Sequence, residues 1–254
     1  MKIVIKDIAL EVTRKCNLKC QHCMRGDSQN IDIDYKYIDY ILNKNHIIKR
    51  LFFSGGEPLL NKDAIIYAVN KIINEKLEVL SIGFNTNGTI YDEELIKSLL
   101  KYREFCLMSL NELYDENNSN LAVSITFSDD QYHDNKDSVI EKYKIYKDKI
   151  NFRRTGTLDI LDDEVLLSGR AKDIFFGRYF EFKNEPINII KVDDNYILNN
   201  NFYITAKGDI TTEGDGSYSD MDINNFGQLS ENSFISFTQN NCEKDDNLIL
   251  IKHI

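Results

Sequence analysis

A chain of 254 residues with 42% hydrophobic content and a formal net charge of −10 is long and apolar enough for one α/β barrel-like domain, with room for a small appendage. It holds no run near the ~18 apolar residues that a membrane span needs, and its acid excess disfavours a large nucleic-acid ligand, which would require a basic face. Five cysteines, three of them clustered, and a start (Met1-Lys2-Ile3-Val4-Ile5) without a signal-peptide pattern point to a reducing cytoplasm rather than a disulfide scaffold.

In chain order, Ile3 to Val12 reads as a strand rich in β-formers. It runs into Cys16-Asn17-Leu18-Lys19-Cys20-Gln21-His22-Cys23, where three cysteines fall within eight residues. Asp34 caps a helix with Tyr37, Ile38, Ile41 and Leu42 on one face. Lys49 to Phe53 is a short buried strand that stops at Gly55-Gly56-Glu57-Pro58, and a helix with the stripe Ile65, Ile66, Val69, Ile72 and Ile73 follows. Val79 to Phe84 is a third strand, closed by Asn85-Thr86-Asn87-Gly88. Asp92 opens a helix through Leu95, Leu99 and Leu100, after which Cys106 to Leu110 suits either more helix or a strand. Asp115 to Asn120 is a loop, Leu121 to Phe127 a fourth strand, and about Asp137 to Tyr146 a helix. Strand–helix alternation predicts a parallel sheet, and ligands of such sheets sit at the carboxyl ends of the strands, where each of these motifs falls.

Past Lys149 the pattern loosens. Asn184 to Asn201 reads as strand–turn–strand around Asp193-Asp194-Asn195, and Phe202 to Ile210 as a hairpin with a Lys-Gly turn. The expected division is 1–195 for the barrel core and 196–254 for a small β-rich C-terminal extension.

The chemistry starts from the thiols. Thiolates bind soft metals and iron–sulfur clusters, and three of them on a four-iron cluster leave one iron open for a ligand. A zinc site is the competing reading, with His22, Cys106 or Cys242 as fourth ligand, although zinc sites usually pair CXXC with a second pair that is missing here. Two glycines after a strand let a ligand approach the backbone, and the Glu57 carboxylate can accept hydrogen bonds from an ammonium group.

The CX3CX2C triplet followed 32 residues later by Gly-Gly-Glu-Pro resembles the radical S-adenosylmethionine (radical SAM) superfamily. The resemblance implies a partial (β/α)6 TIM-like barrel, and one [4Fe-4S] cluster on Cys16, Cys20 and Cys23. It implies S-adenosylmethionine chelating the open iron, reductive cleavage to a 5′-deoxyadenosyl radical, and hydrogen abstraction from a substrate. It assigns Gly55, Gly56, Glu57 and Pro58 to the methionyl amine, and His22 to stacking on adenine. Asn85 and Asn87 fall near the methionyl and ribose groups, with an ordinary turn as their alternative, and Ser124 takes the place of a family serine that contacts the cofactor. Where the family often has His-Asp-x-x-Arg, this chain reads His133-Asp134-Asn135-Lys136, so Lys136 would meet the carboxylate as a point charge.

The polar stretch Ser128 to His133 is placed to line a substrate cavity, with Tyr132 or His133 exchanging a hydrogen atom or proton, against the alternative of a solvated loop. The tail from Phe202 to Leu229 resembles the start of the SPASM or twitch extension of peptide-modifying members. Its Thr211 to Ser217 stretch has no cysteine for an auxiliary cluster. A peptide, ribosomally made, is therefore the first expectation for substrate, with a nucleoside or small metabolite as alternative. A metal-stapled binding module is the non-enzyme alternative. The reductant expected is a one-electron donor such as flavodoxin or ferredoxin. No leader-binding domain is expected ahead of the first strand.

Overall fold

The computed structural model describes residues 1–115, 117–128, 133, 137–155, 166–173 and 179–240. One eight-stranded sheet organises the chain. Its strands are β1 (Ile3–Thr13), β2 (His46–Gly55), β3 (Glu78–Thr86), β4 (Val123–Ser128), β5 (Asn151–Thr155), β6 (Ile189–Val192), β7 (Asn195–Ile204) and β8 (Ile210–Thr211). The spatial order is β5-β4-β3-β2-β1-β7-β6, with β8 paired to β7. Strands β1 to β5 are mutually parallel, and β7 joins them as a parallel partner on the other side of β1. The sheet is open, as a partial barrel requires.

The helices follow from their patterns. In α1 (Tyr35–Ile41) the Asp34 carboxylate accepts from the Lys36 amide at 3.0 Å and Tyr37, Ile38 and Ile41 are buried. In α2 (Lys62–Glu75) the buried stripe is Ala64, Ile65, Ala68, Val69 and Ile72. The helix α3 (Glu93–Ser109) starts where Asp92 accepts from the Leu95 amide at 2.8 Å. Cys106 lies inside that helix and in the core, so of the two readings of 106–110 the structure takes helix as far as Ser109. Burial pushes the Cys106 thiol up to about 11, and it packs as a small apolar group. The helix α4 is Asp137–Lys144, α5 is Tyr218–Ile223 and α6 is Ser233–Asn240. Among the described residues no helix is long and apolar enough to cross a membrane.

Two departures from the sequence pattern matter for the site. The stretch after Lys149, where the strand–helix pattern loosens, includes a 3-10 helix at Gly169–Asp173. The expected boundary at 195/196 falls on the first residues of β7, which pairs with β1 from Ile3↔Tyr196 to Leu10↔Ile204. The chain after 195 thus supplies a strand of the main sheet before it forms the β7–β8 hairpin.

Candidate active site

Four strand ends meet in one place. The carboxyl ends of β1, β2, β3 and β4 surround a pocket of about 450 Å³ whose lining includes Cys16, Cys20, His22, Cys23, Gly55, Gly56, Pro58, Asn85, Asn87, Ser128 and His133. All three clustered cysteines are free and half-buried.

Backbone hydrogen bonds stitch the cysteine loop to the glycine turn. The Gly56 amide donates to the Thr13 carbonyl at 3.0 Å, and the Glu57 amide to the Lys15 carbonyl at 2.8 Å. A Cβ on Gly55 would stand 2.1 Å from the Thr13 oxygen, with φ at +147°, and one on Gly56 would stand 2.4 Å from the Lys15 oxygen. The two glycines are therefore needed for chain-on-chain contact as much as for a ligand. On the far side, Asn87 Nδ2 donates to Asn17 Oδ1 at 2.9 Å and Asn17 Nδ2 to Thr89 Oγ1 at 2.8 Å, tying the same loop to the end of β3.

Glu57 is placed otherwise than its motif suggests. Its side chain is fully buried, and it does not line the pocket. One carboxylate oxygen accepts from the Leu59 amide at 3.1 Å and Thr86 Oγ1 at 2.9 Å, the other from the Asn87 amide at 2.8 Å. Burial pushes this carboxyl up to about 7, and the three donors and the nearby His133 pull it back only part way. The carboxylate braces the ends of β2 and β3, leaving the turn's backbone to face the pocket. Glu57→Gln is expected to set an amide N–H against one of those donors and to cost about 1–3 kcal/mol, read by urea unfolding of the apoprotein. A loss of S-adenosylmethionine affinity with unchanged unfolding would return the carboxylate to the ammonium role.

The two asparagines separate. Asn87 spends its side chain on Asn17 and Thr89. Asn85 is exposed on the pocket wall and makes no side-chain hydrogen bond among the described residues, so its amide is available to a ligand. Ser124 pairs with Gly83 at the start of β4, its Oγ only 2.2 Å from where a Gly83 Cβ would stand, and it does not line the pocket. Ser128, four residues and roughly 13 Å farther along β4, does. His22 and His133 face each other edge-on, ring centres 5.1 Å apart. Tyr132 and Lys136 lie outside the described residues, as does Cys242.

Sequence reading did not single out Met24, Arg25, Ser54, Leu166 or Arg170 as pocket residues. Only Arg25 carried a signal, two places after the last cysteine.

Burial raises the Cys16 thiol, the Leu18 amide pulls it back, and Glu57, Cys23 and Cys20 push it up again. Among the described residues no three His, Cys, Asp or Glu side chains converge closely enough for a single metal ion.

An open parallel sheet with a three-thiol loop beside a glycine-walled pocket defines an α/β protein with soft donors gathered at its strand ends. A profile described as the Radical SAM superfamily matches residues 10–165, more than half of the chain, and the chain belongs to that superfamily. Over 192 residues it is 28% identical to the GTP 3′,8-cyclase of Staphylococcus carnosus, covering 63% of this chain and 56% of that one. Over 101 residues it is 36% identical to an uncharacterized protein of Methanocaldococcus jannaschii, covering 37% and 35%. The chain thus spans about a third to just over half of the length of these relatives. Among solved structures, anSMEcpe with bound AdoMet and a peptide matches at TM-score 0.40 and 18% identity, covering 59% of this chain and 42% of that one. Streptococcus suis SuiB bound to precursor peptide SuiA matches at 0.36 and 12%, covering 94% and 61%. At these scores the likeness carries no conclusion about substrate.

Membership makes the protein an enzyme with a [4Fe-4S] cluster and S-adenosylmethionine as cofactors. The residues present fit both groups: three accessible soft donors on one loop, a wall of glycine backbone, and an uncommitted amide at Asn85.

Proposed function

We propose that this enzyme abstracts hydrogen from a residue of a peptide, presented as one side chain to the pocket. The observation that carries the reading is size. A volume of about 450 Å³ is in the range that one drug-sized ligand fills. S-adenosylmethionine takes most of it, and what remains suits a side chain on a chain lying across the mouth better than a second nucleotide.

When bound and reduced, the cofactor pair supplies a 5′-deoxyadenosyl radical. Within the protein, Cys16, Cys20 and Cys23 hold the cluster and the Gly55–Gly56 backbone orients the methionyl amine. His22 stacks on adenine, and Asn85 meets the polar part of the ligand. His133, on the wall beside His22, is the candidate for proton or hydrogen exchange with substrate, with Tyr132 in the same role. Lys136 is the candidate partner of the carboxylate, and the electron comes from a small donor such as flavodoxin or ferredoxin.

A second reading has its own observation. Arg25 and Arg170 line the pocket, and no carboxylate does among the described residues, which favours a substrate with an anionic group such as a nucleotide. Air-free reconstituted protein with dithionite and S-adenosylmethionine is expected to form 5′-deoxyadenosine. A short precursor peptide supplied as substrate is expected to raise that rate and to change mass. Stimulation by GTP and none by the peptide would reverse the order of the two readings.

A further inference from the structure

The cysteine loop is shaped by a segment almost 150 residues downstream. Three polar groups of Arg170 reach it: its amide donates to the Cys23 carbonyl at 3.0 Å, Nε to the Cys20 carbonyl at 3.0 Å, and Nη1 to Asp27 Oδ1 at 3.1 Å. The Asp27 carboxylate is 91% exposed, so that last pair contributes little. The two carbonyl contacts are what hold the loop, since they fall on cluster-ligand residues themselves.

Gly169 makes the approach possible. It has φ at +54°, and a Cβ there would stand 2.4 Å from both the Gly26 nitrogen and the Met24 oxygen. Backbone therefore lies directly on backbone, where no other residue fits. The segment is fixed from behind as well, because buried Ser168 donates to Asp220 Oδ2 at 3.3 Å, and Asp220 belongs to the capping box that starts α5.

We propose that Gly169 and Arg170 clamp the cysteine loop in its ligand-presenting shape, with Arg170 a positioning residue whose charge also bears on the cluster. Arg170 lines the same pocket as Cys20 and Cys23. A fixed guanidinium there favours the more reduced, more negative cluster over the oxidised one. The inference rests on the triplet's being the cluster ligands.

Three variants separate packing from charge: Gly169→Ala, Arg170→Met and Arg170→Lys. Each is reconstituted air-free with iron and sulfide and desalted. It is then measured for iron per chain, for the rate of iron loss to a chelator, and for the midpoint potential by EPR-monitored titration. Wild type is expected to retain about four irons. Gly169→Ala and Arg170→Met are expected to lose iron about ten to a hundred times faster, the range seen when a metal site's supporting contacts go. Arg170→Met is also expected to shift the potential downward, while Arg170→Lys keeps it near wild type.

Folding is checked on the apoproteins by circular dichroism. If Gly169→Ala fails to fold, the labelling rate of Cys20 and Cys23 thiols in Arg170→Lys and Arg170→Met replaces it, with faster labelling in Met expected. Variants that load, hold and reduce the cluster as wild type does overturn the clamp alone. A wild type that takes up no iron overturns the clamp and the ligand assignment together.

Discussion

Replacing Cys16, Cys20 or Cys23 singly by Ala is expected to reduce 5′-deoxyadenosine formation below detection while leaving the apoprotein folded. The first half follows from ligand number, because on the proposed assignment the cluster is held at three corners, and two thiolates cannot close the set. The second half follows from position. The three side chains are half-buried at the pocket wall and none belongs to the apolar core, whereas Cys106 does. Cys106→Ala serves as the contrast. It is expected to cost about 1 kcal/mol or more of stability through lost packing, with iron content unchanged. Iron and sulfide analysis with urea unfolding checks both. A Cys16→Ala protein that still cleaves the cofactor at a measurable rate would end the assignment.

The largest effect on stability is expected at Arg14, the bulkiest of the fully buried side chains. It stands where β1 passes into the cysteine loop. Its Nε donates to Glu11 Oε1 at 2.9 Å, Nη1 to Gln29 Oε1 at 3.1 Å, and Nη1 and Nη2 to Asp222 at 3.0 and 2.7 Å. The guanidinium also lies 4.6 Å over the Tyr218 ring. Glu11 is equally buried and has no exit to water, its other oxygen accepting from the Ala206 amide at 3.1 Å.

Arg14→Met strands that carboxylate, and removing one partner of a buried pair costs roughly 3–5 kcal/mol. The double variant Glu11→Gln/Arg14→Met removes both charges and is expected to recover part of the loss. Urea unfolding of the apoproteins measures the difference. A double variant no better than Arg14→Met would mean that the guanidinium stabilises by packing and by Asp222 rather than by matching Glu11.

How legible was this in the sequence? The parallel strands β1 to β4 and their helices were readable because each is a local signal, such as the Asp34 and Asp92 caps and the stripe on α2. The cysteine triplet and the glycines were readable for the same reason, being short motifs at strand ends. Side-chain destinations were not. Glu57 carries the same letters whether its carboxylate faces a ligand or three internal donors, and only tertiary contact with Thr86 and Asn87 decides. Ser128 and not Ser124 lines the pocket because β4 runs on to 128, and four residues of strand separate the bottom of a sheet from its mouth. The pairing of β7 with β1, the Arg14–Asp222 pair and the Arg170 contacts join residues so far apart that no periodicity records them.

That β7 lies against β1 has a consequence for how the molecule is made. The first contact of the pair, Lys2 with Asn195, spans 193 residues. A ribosome working at about 5–20 residues per second needs roughly 10–40 s to deliver the second strand after the first. Throughout that interval one flank of β1 is a bare row of amides and carbonyls, and Arg170 is for most of it not yet synthesised. The thiols therefore leave the ribosome before Arg170 exists, and on the proposed clamp stable cluster insertion waits until Arg170 has emerged and β7 has docked.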